Sequence, residues 1–223
     1  MAYGALLTDA AGVPFYIGDT MPLTLLEKRV LNIPGGSGLL KLFNNDGTIR
    51  FVFVNSNGTQ GNGQNTCEAL ELTGGVWSLN CAGATRTITV YIFGYQFQPI
   101  PGWGIQINDS QGRCILTNET KVLRDVQKLG DEGSDGSSGF RANFTLNGEW
   151  AVAPAYTGNY VGTVNQGGQV YPVVAQYASS ARFNGSTTQI TSGYIGNLNA
   201  AGGGSGTLTN YRNRLVAVNV QRY

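Results

Sequence analysis

The sequence predicts an all-β protein built of two tandem immunoglobulin-like or β-sandwich units that are related by an internal repeat. Three observations predict this fold: short β-branched and aromatic runs, abundant glycine for turns, and an opening segment that recurs one hundred positions later. Only 12% of the 223 residues are charged, whereas 33 are glycine and 11 are tyrosine. This composition is typical of short strands connected by many turns.

The repeat aligns residues 3–12 with residues 103–112 without a gap. Each copy has an aromatic residue before glycine, then alternating apolar positions, then Asp-x-x-Gly and a second apolar stretch. Asp at the start of a turn accepts a backbone hydrogen bond, and Gly at its end adopts positive φ, so the pattern predicts strand, tight turn and strand. Identical residues extend to Leu23 and Leu123 at the same offset, which favours duplication over a coincidence of two common hairpins.

Each copy also ends on a β-branched and aromatic run, at residues 85–93 and 214–223. Between the copies, residues 98–102 contain two prolines, which lack the backbone donor that a central strand needs. We therefore predict a first unit over residues 1–98 and a second, longer unit over residues 99–223.

Within the first unit, apolar residues 39–43 and 48–54 flank Asn-Asn-Asp-Gly, which predicts a hairpin. The polar segment 55–65 predicts a loop, and residues 23–30 alone have a helical pattern. A second hairpin is predicted around a turn centred on Gly74.

That second hairpin would place Cys67 opposite Cys81. A disulfide between them is geometrically conceivable, whereas synthesis in the cytoplasm favours free thiols. The sequence leaves this choice open.

The second unit contains two Gly/Ser-rich segments, residues 130–139 and 200–206, which are expected to form flexible loops because they cannot bury apolar surface. Short strands are predicted at residues 140–146, 149–152, 170–177 and 188–195.

The chain contains no histidine, which removes the usual general base and the commonest metal ligand. A calcium site at Asp131, Glu132 and Asp135 is disfavoured because the ligand spacing of an EF-hand is missing. No pair of carboxylates stands out as a glycosidase site. We therefore predict no enzymatic activity, no cofactor and no metal.

A formal charge of +1 gives no reason to expect a nucleic-acid partner. The apolar runs are far shorter than the roughly 20 residues of a membrane helix, so membrane insertion is not expected. The N-terminal residues do not have the pattern of a signal peptide, which indicates synthesis in the cytoplasm.

Six tyrosines crowd the second unit, and together they are the candidate interaction surface. A surface row of tyrosines suits sugar stacking or a protein interface, although tyrosine also commonly fills half-buried strand positions. The six residues are Tyr156, Tyr160, Tyr171, Tyr177, Tyr194 and Tyr211.

The opening Met1-Ala2-Tyr3-Gly4, followed by Asp9-Ala10-Ala11-Gly12, resembles the N-terminus of small proteins encoded beside the tail-fibre and host-specificity genes of long-tailed, siphovirus-like bacteriophages. The copy from Trp103 and the closing strand at Tyr223 look like the same pattern used again. The resemblance implies a structural protein of the virion, located at the tail tip around or beside the central tail fibre. It also implies contacts with other tail proteins, and a homotrimer or other homo-oligomer within the tail.

An alternative function is host attachment, by a receptor-binding adhesin or a carbohydrate-binding tail module. Such a protein would contact a host surface receptor through exposed loops, for which residues 55–65 and 196–206 are the candidates.

Overall fold

A computed structural model describes residues 7–8, 14–15, 21–57, 66–195 and 206–223. These residues form strands and one short 3-10 helix, which confirms the all-β prediction. The strands before residue 98 are β1 (Leu7–Thr8), β2 (Pro14–Phe15), β3 (Thr24–Ile33), β4 (Gly36–Asn44), β5 (Arg50–Asn57), β6 (Cys67–Thr73), β7 (Val76–Gly83) and β8 (Arg86–Gly94).

The later strands are β9 (Gln106–Asn108), β10 (Cys114–Thr117), β11 (Val126–Leu129), β12 (Asn143–Asn147), β13 (Trp150–Val152), β14 (Tyr156–Gln166), β15 (Gln169–Phe183), β16 (Thr187–Ile195), β17 (Gly206–Asn210) and β18 (Leu215–Asn219). The 3-10 helix spans Gly139–Arg141. The four strands predicted in the second unit are present, whereas the helical pattern at residues 23–30 was misleading, because most of this segment belongs to strand β3. The predicted loops 55–65 and 200–206 lie mostly outside the described residues.

The two copies of the repeated segment form matching hairpins. Thr8 pairs with Pro14 in β1–β2, and Asn108 pairs with Cys114 in β9–β10, which is the same register shifted by one hundred residues. In the second copy, one carboxylate oxygen of Asp109 accepts hydrogen bonds from two backbone N–H groups, both at 2.9 Å. The predicted Asp-x-x-Gly turn is therefore confirmed there, while the turn of the first copy, residues 9–13, lies outside the described residues.

In the first half of the chain, β3-β8-β5 pair in that order as part of an 11-stranded sheet, and β4-β7-β6 form a separate three-stranded sheet. Apolar side chains from both sheets share one core. Its buried members are Ile33, Leu42, Val52, Val54, Leu79, Cys81, Ile88, Val90 and Ile92.

The second half contains an equivalent arrangement, with strand orders β11-β18-β13 and β12-β16-β15. The registers also correspond. Ile92 of β8 pairs with Glu27 and Val52, and Ala217 of β18 pairs with Gln127 and Val152, so both partners are displaced by one hundred residues. A second core lies between these sheets. Its buried members are Leu129, Ala142, Trp150, Val152, Ala181, Ile190, Leu215 and Ala217.

Two strands of the second half, β14 and β17, have no counterpart among the described residues of the first. They pair with each other, and β14 pairs with β15 as far as a tight turn at Gly167 and Gly168, whose φ values are 62° and 87°. Positive φ at both central residues defines a type I′ turn, which glycine adopts without strain. We call β14, β17 and residues 169–175 of β15 the arm.

The two halves share a ring of six strands. Strands β5 and β13 are neighbours through the pair Val54 and Val152, so the order β3-β8-β5-β13-β18-β11 is continuous. Next to β3 and β11 the ring closes, because Leu123 N–H donates to the carbonyl of Leu23 at 2.8 Å. Equivalent residues of the two copies therefore meet across a local twofold axis.

The interior of the ring is packed with side chains from both halves. Its buried members are Phe53, Tyr91, Phe93, Ala151, Val218 and Val220. The largest sheet thus crosses the predicted boundary between residues 98 and 99, and the division into two units stays a prediction.

The predicted hairpin around residues 44–47 is wrong. Strand β4 pairs with β7, and β5 pairs with β8 and β13, so the turn carries the chain from one sheet to the other. Its local chemistry is nevertheless that of a tight turn, with Gly47 at φ 77° and Thr48 N–H donating to Asp46 at 2.9 Å.

The second hairpin has a register different from the predicted one. Its turn is centred between Gly74 and Gly75, so Cys67 lies opposite Ala82 and Cys81 lies opposite Glu68. A shift of one residue moves a side chain to the other face of the sheet. The two sulfurs therefore belong to different cores, and both thiols are free.

Candidate functional site

An open pocket of about 570 Å³ lies where the segment 130–141 meets strand β17 and the turn after it. This volume is within the range of small-molecule sites. The pocket is lined by Asp135, Phe140, Arg141, Leu208, Thr209, Asn210 and Arg212.

One wall of the pocket is the Gly/Ser-rich segment 130–139, which is folded against β17 and the chain that follows it. Gly133 N–H donates to the carbonyl of Arg212 at 3.0 Å, and Gly139 N–H donates to the carbonyl of Asn213 at 2.9 Å. Within the segment, Ser137 bonds both the backbone and the carboxylate of Asp131. Residues 130–138 are a loop, as predicted, and backbone hydrogen bonds attach it to the chain after β17, while its flexibility stays a prediction.

A carboxylate and a guanidinium of the pocket lining form an ion pair. Arg212 donates to Asp135 through Nε at 2.8 Å and through Nη2 at 2.5 Å, which is a bidentate ion pair. The Arg212 hydrogen bonds hold the pKa of Asp135 below its usual range. Both side chains are more than half exposed, so this pair fixes geometry and adds little to stability.

The backbone around this pair is constrained by Asn210. Its side-chain oxygen accepts from Phe140 N–H at 3.2 Å and from Arg212 N–H at 3.1 Å, while its amide donates to Asp135 at 3.2 Å. Arg212 itself has φ 54°, a conformation that is uncommon for residues other than glycine. Left-handed residues of this kind persist only where surrounding contacts hold them, and they cluster at ligand sites.

The floor of the pocket is aromatic. Phe140 lies on Gly158, where an added Cβ would stand 2.9 Å from the ring and 2.7 Å from the carbonyl of Thr209. Only glycine allows so close an approach. The Phe140 ring contacts Tyr177 with centroids 5.4 Å apart, and Tyr177 contacts Tyr194 at 6.5 Å. Burial raises the pKa of Tyr177.

The structure places the six predicted tyrosines in different settings. Strand registers put Tyr160, Tyr177 and Tyr194 on one face of neighbouring strands, and Tyr171 follows on the same face of the arm. Tyr156 points to the other side, where its hydroxyl bonds Glu71 and Asn80. Tyr211 is exposed beside the pocket. Four of the six therefore share one face, and whether they form an interaction surface stays a prediction.

The charged residues of the pocket were not predicted as a group. Arg141 is separated from Asn210 and Arg212 by about seventy residues of chain, so these residues form no motif in the sequence. Arg141 forms no ion pair with another described residue, and its guanidinium lies 5.6 Å from the centre of the Phe140 ring. The arrangement can therefore bind an anion beside an apolar ring. In the described part of the chain, no three acidic or cysteine side chains are grouped to hold a metal.

Comparison of the chain with protein-family models, with curated proteins and with solved structures finds no match. Within the residues that the structure describes, no helix has the length and apolar character needed to cross a membrane.

Proposed function

We propose that this chain is a structural protein of a bacteriophage virion, located at the tail tip and packed around or beside the central tail fibre. The resemblance of the repeated Tyr/Trp-Gly and Asp-x-x-Gly segments to tail-tip proteins supports this location. In this role the protein is not an enzyme, and it binds no nucleic acid and inserts into no membrane. It is made in the host cytoplasm and then joins the particle.

The observation that carries the proposal is the uncharged, apolar surface of the arm. Between Glu149 and Arg212 the sequence contains one charged residue, Arg182, and that side chain is buried. On one face of the arm, Val161 pairs with Val174, and Val170 lies four residues before Val174 on the same strand. The three valines are 52 to 66% exposed. Apolar faces with so few charges are typical of surfaces that another protein covers.

A second exposed apolar area lies in the segment between the two halves. Ile100, Trp103 and Ile105 are 73, 88 and 67% exposed. Tryptophan is among the residues most enriched in protein interfaces. Two separate apolar areas would allow contacts both with other copies of this chain, in a homotrimer or other homo-oligomer, and with other tail proteins.

We further propose that the two halves are tandem sandwich units of immunoglobulin-like type, descended from one duplicated unit. The matching hairpins, the equivalent groups of three paired strands in the two halves and the common offset of one hundred residues support this relationship. Two units of common origin within one chain are suited to building a tail because each presents a similar face to its neighbours.

The location is tested by labelling purified particles of the phage that encodes the chain with gold-conjugated antibody. The expected result is gold confined to the distal end of the tail, together with recovery of the protein by mass spectrometry of the same particles. Particles that lack the protein would end the proposal.

The arm is tested by complementing a phage that lacks the gene with the double variant Val170→Lys and Val174→Lys. We expect a folded protein that is not incorporated, because two charges cannot be buried in an apolar contact without compensation. Thr145→Lys, at an exposed position of β12, is the matched control and should be incorporated normally. Normal incorporation of the double variant would exclude the arm as the contact surface.

A second candidate function, a receptor-binding adhesin or carbohydrate-binding module, is favoured by the pocket. An open site with a cation that forms no ion pair with another described residue, a threonine hydroxyl and an aromatic floor is suited to a small polar ligand. If the protein attaches the phage to its host, saturating purified protein should block adsorption. Unchanged adsorption would exclude the adhesin function, and the structural role would be the one that remains.

A further inference from the structure

We propose that the pocket binds a saccharide that carries one carboxylate group, with Arg141 binding the carboxylate and Phe140 contacting the apolar face of the sugar ring. The inference builds on the adhesin candidate and names the ligand of the same pocket. The test of this inference uses purified protein. Its failure is therefore distinguishable from a failure to find the chain in virions.

The position of the pocket among the repeated elements is the first argument. In the first half, β3 ends at Ile33 and β4 begins at Gly36, so two residues connect them. In the second half the equivalent connection runs from Leu129 to Asn143 and contains the segment 130–141. The second half therefore has a longer connection as an addition to the repeated elements, and strand β17 is another addition. Every residue that lines the pocket comes from these additions or from the turn after β17, and the sandwich of the first half forms without them.

The net charge of the pocket lining determines which ligand charge the pocket favours. Arg141 and Arg212 contribute two positive charges and Asp135 contributes one negative charge, so the lining carries a net charge of +1. Because Arg212 is already bound to Asp135, Arg141 remains for the ligand. A carboxylate with one charge matches this site, whereas Asp135 would repel a doubly charged phosphate at close range. Arginine also binds carboxylates in a planar, bidentate geometry.

The remaining lining suits a sugar ring better than a simple carboxylic acid. Phe140 and Leu208 offer apolar surface, and Thr209 offers a hydroxyl that can bond the hydroxyls of a sugar. The Phe140 ring is held from behind by Gly158 and Tyr177, so it need not reorganise when a ligand arrives. A rigid, pre-positioned ring reduces the ordering cost of binding.

The experiment titrates the full chain with D-galacturonic acid, D-galactose and acetate, and follows backbone amide resonances by NMR. We expect galacturonic acid to shift the resonances of Phe140, Arg141 and Asn210 with a dissociation constant on the order of millimolar. Galactose and acetate should each bind at least about tenfold more weakly, since galactose lacks the carboxylate and acetate lacks the sugar ring. Equal binding of galactose and galacturonic acid, or no shift at the pocket with any probe, would overturn the proposal.

Arg141→Gln should reduce the affinity for galacturonic acid by about tenfold and leave the weak binding of galactose unchanged. Lys41→Gln, which removes an exposed positive charge on β4, is the matched control and should bind like the unmodified chain. Phe140→Leu keeps an apolar side chain on Gly158, so it removes the aromatic ring with a smaller loss of packing than alanine would cause. If Arg141→Gln and Lys41→Gln bind galacturonic acid equally well, Arg141 does not hold the carboxylate and the proposal fails.

Discussion

At the scale of single residues, the two cysteines of the β6–β7 hairpin show how much depends on one position of register. Cys67 and Cys81 look symmetric about Gly74 in the sequence, yet the turn contains both Gly74 and Gly75. The side chains consequently point to opposite faces, one toward each of two cores. Burial raises the pKa of Cys81 to about 12 and also raises the pKa of Cys67.

We expect these thiols to be inert in the folded protein, because only the thiolate reacts rapidly. Reaction with a thiol-specific chromogenic reagent should proceed for all three cysteines in denaturant and for almost none in native buffer, since Cys114 is buried as well. A native chain with one reactive thiol, or a denatured chain with only one, would contradict the free and buried assignment.

Asp135 provides a prediction about pH. Its pKa in the folded protein lies below the ordinary value of 3.8, chiefly because Arg212 donates to it. The contact is therefore complete above the ordinary pKa and is lost as the pH falls from there through the folded-state pKa. NMR should show the Gly133 amide, which bonds the Arg212 carbonyl, losing protection between about pH 5 and 2.

The Ile190 amide, in the middle of a buried strand, reports whether the whole protein unfolds in the same range. Asp135→Asn should lack the acid transition, because an amide does not titrate there. A transition that is the same in this variant would assign the pH dependence to other groups.

At the scale of elements, the long hairpin β14–β15 exposes an outer edge that contains one proline. Pairing alternates between hydrogen-bonded and non-bonded residue pairs, counted from the two-residue turn at Gly167 and Gly168. Pro172, opposite Thr163, falls on a non-bonded pair, so its nitrogen faces the open edge. Proline at this position removes a donor and blocks another strand from pairing there.

Pro172→Thr should therefore increase self-association by restoring the missing N–H on the edge. Light scattering over a range of concentrations would measure the change. Val174→Thr, on the same strand and face, controls for the altered side chain and should not increase scattering. If Pro172→Thr leaves the scattering unchanged, a feature other than this proline prevents another strand from pairing with the edge.

The sequence predicts an element well when residues adjacent in the chain determine it, and poorly when contacts between distant residues determine it. Strands such as β16 follow from apolar and β-branched runs, and the turn at Asp109 follows from the chemistry of adjacent residues. The turn at Asp46 was also recognised, but not its role, because identical turn chemistry can join paired strands or carry the chain between sheets. Phe140 and Asn210 are brought together by the fold alone, so no local pattern could indicate the pocket.

At the scale of the whole molecule, the ring of six strands ties the two halves together. Its interior contains Phe53 and Tyr91 from the first half and Ala151 and Val218 from the second. We expect the chain to unfold in a single cooperative transition, because neither half can lose its strands without opening the shared core.

Two single-tryptophan variants test this expectation, one keeping Trp77 of β7 and the other keeping Trp150 of β13. In each variant, the urea transition followed by tryptophan fluorescence should coincide with the far-ultraviolet circular dichroism transition of the same protein. A fluorescence midpoint separated from the circular dichroism midpoint in either variant would mean that the halves are independently stable.

The absence of charge on the exposed face of the arm has a consequence for how the molecule responds to salt. Dissolved ions weaken attraction between exposed charges, most strongly beyond a Debye length of about 10 Å at 0.1 M, but they do not weaken apolar contacts in this way. Assembly through Val161, Val170 and Val174 should therefore be insensitive to ionic strength, whereas binding at Arg141 should weaken as salt is added. Measuring both between about 0.05 and 0.5 M sodium chloride would separate the two surfaces with one variable. If both proposals hold, the contacts of the arm persist in salt concentrations that weaken the binding of a charged ligand at Arg141.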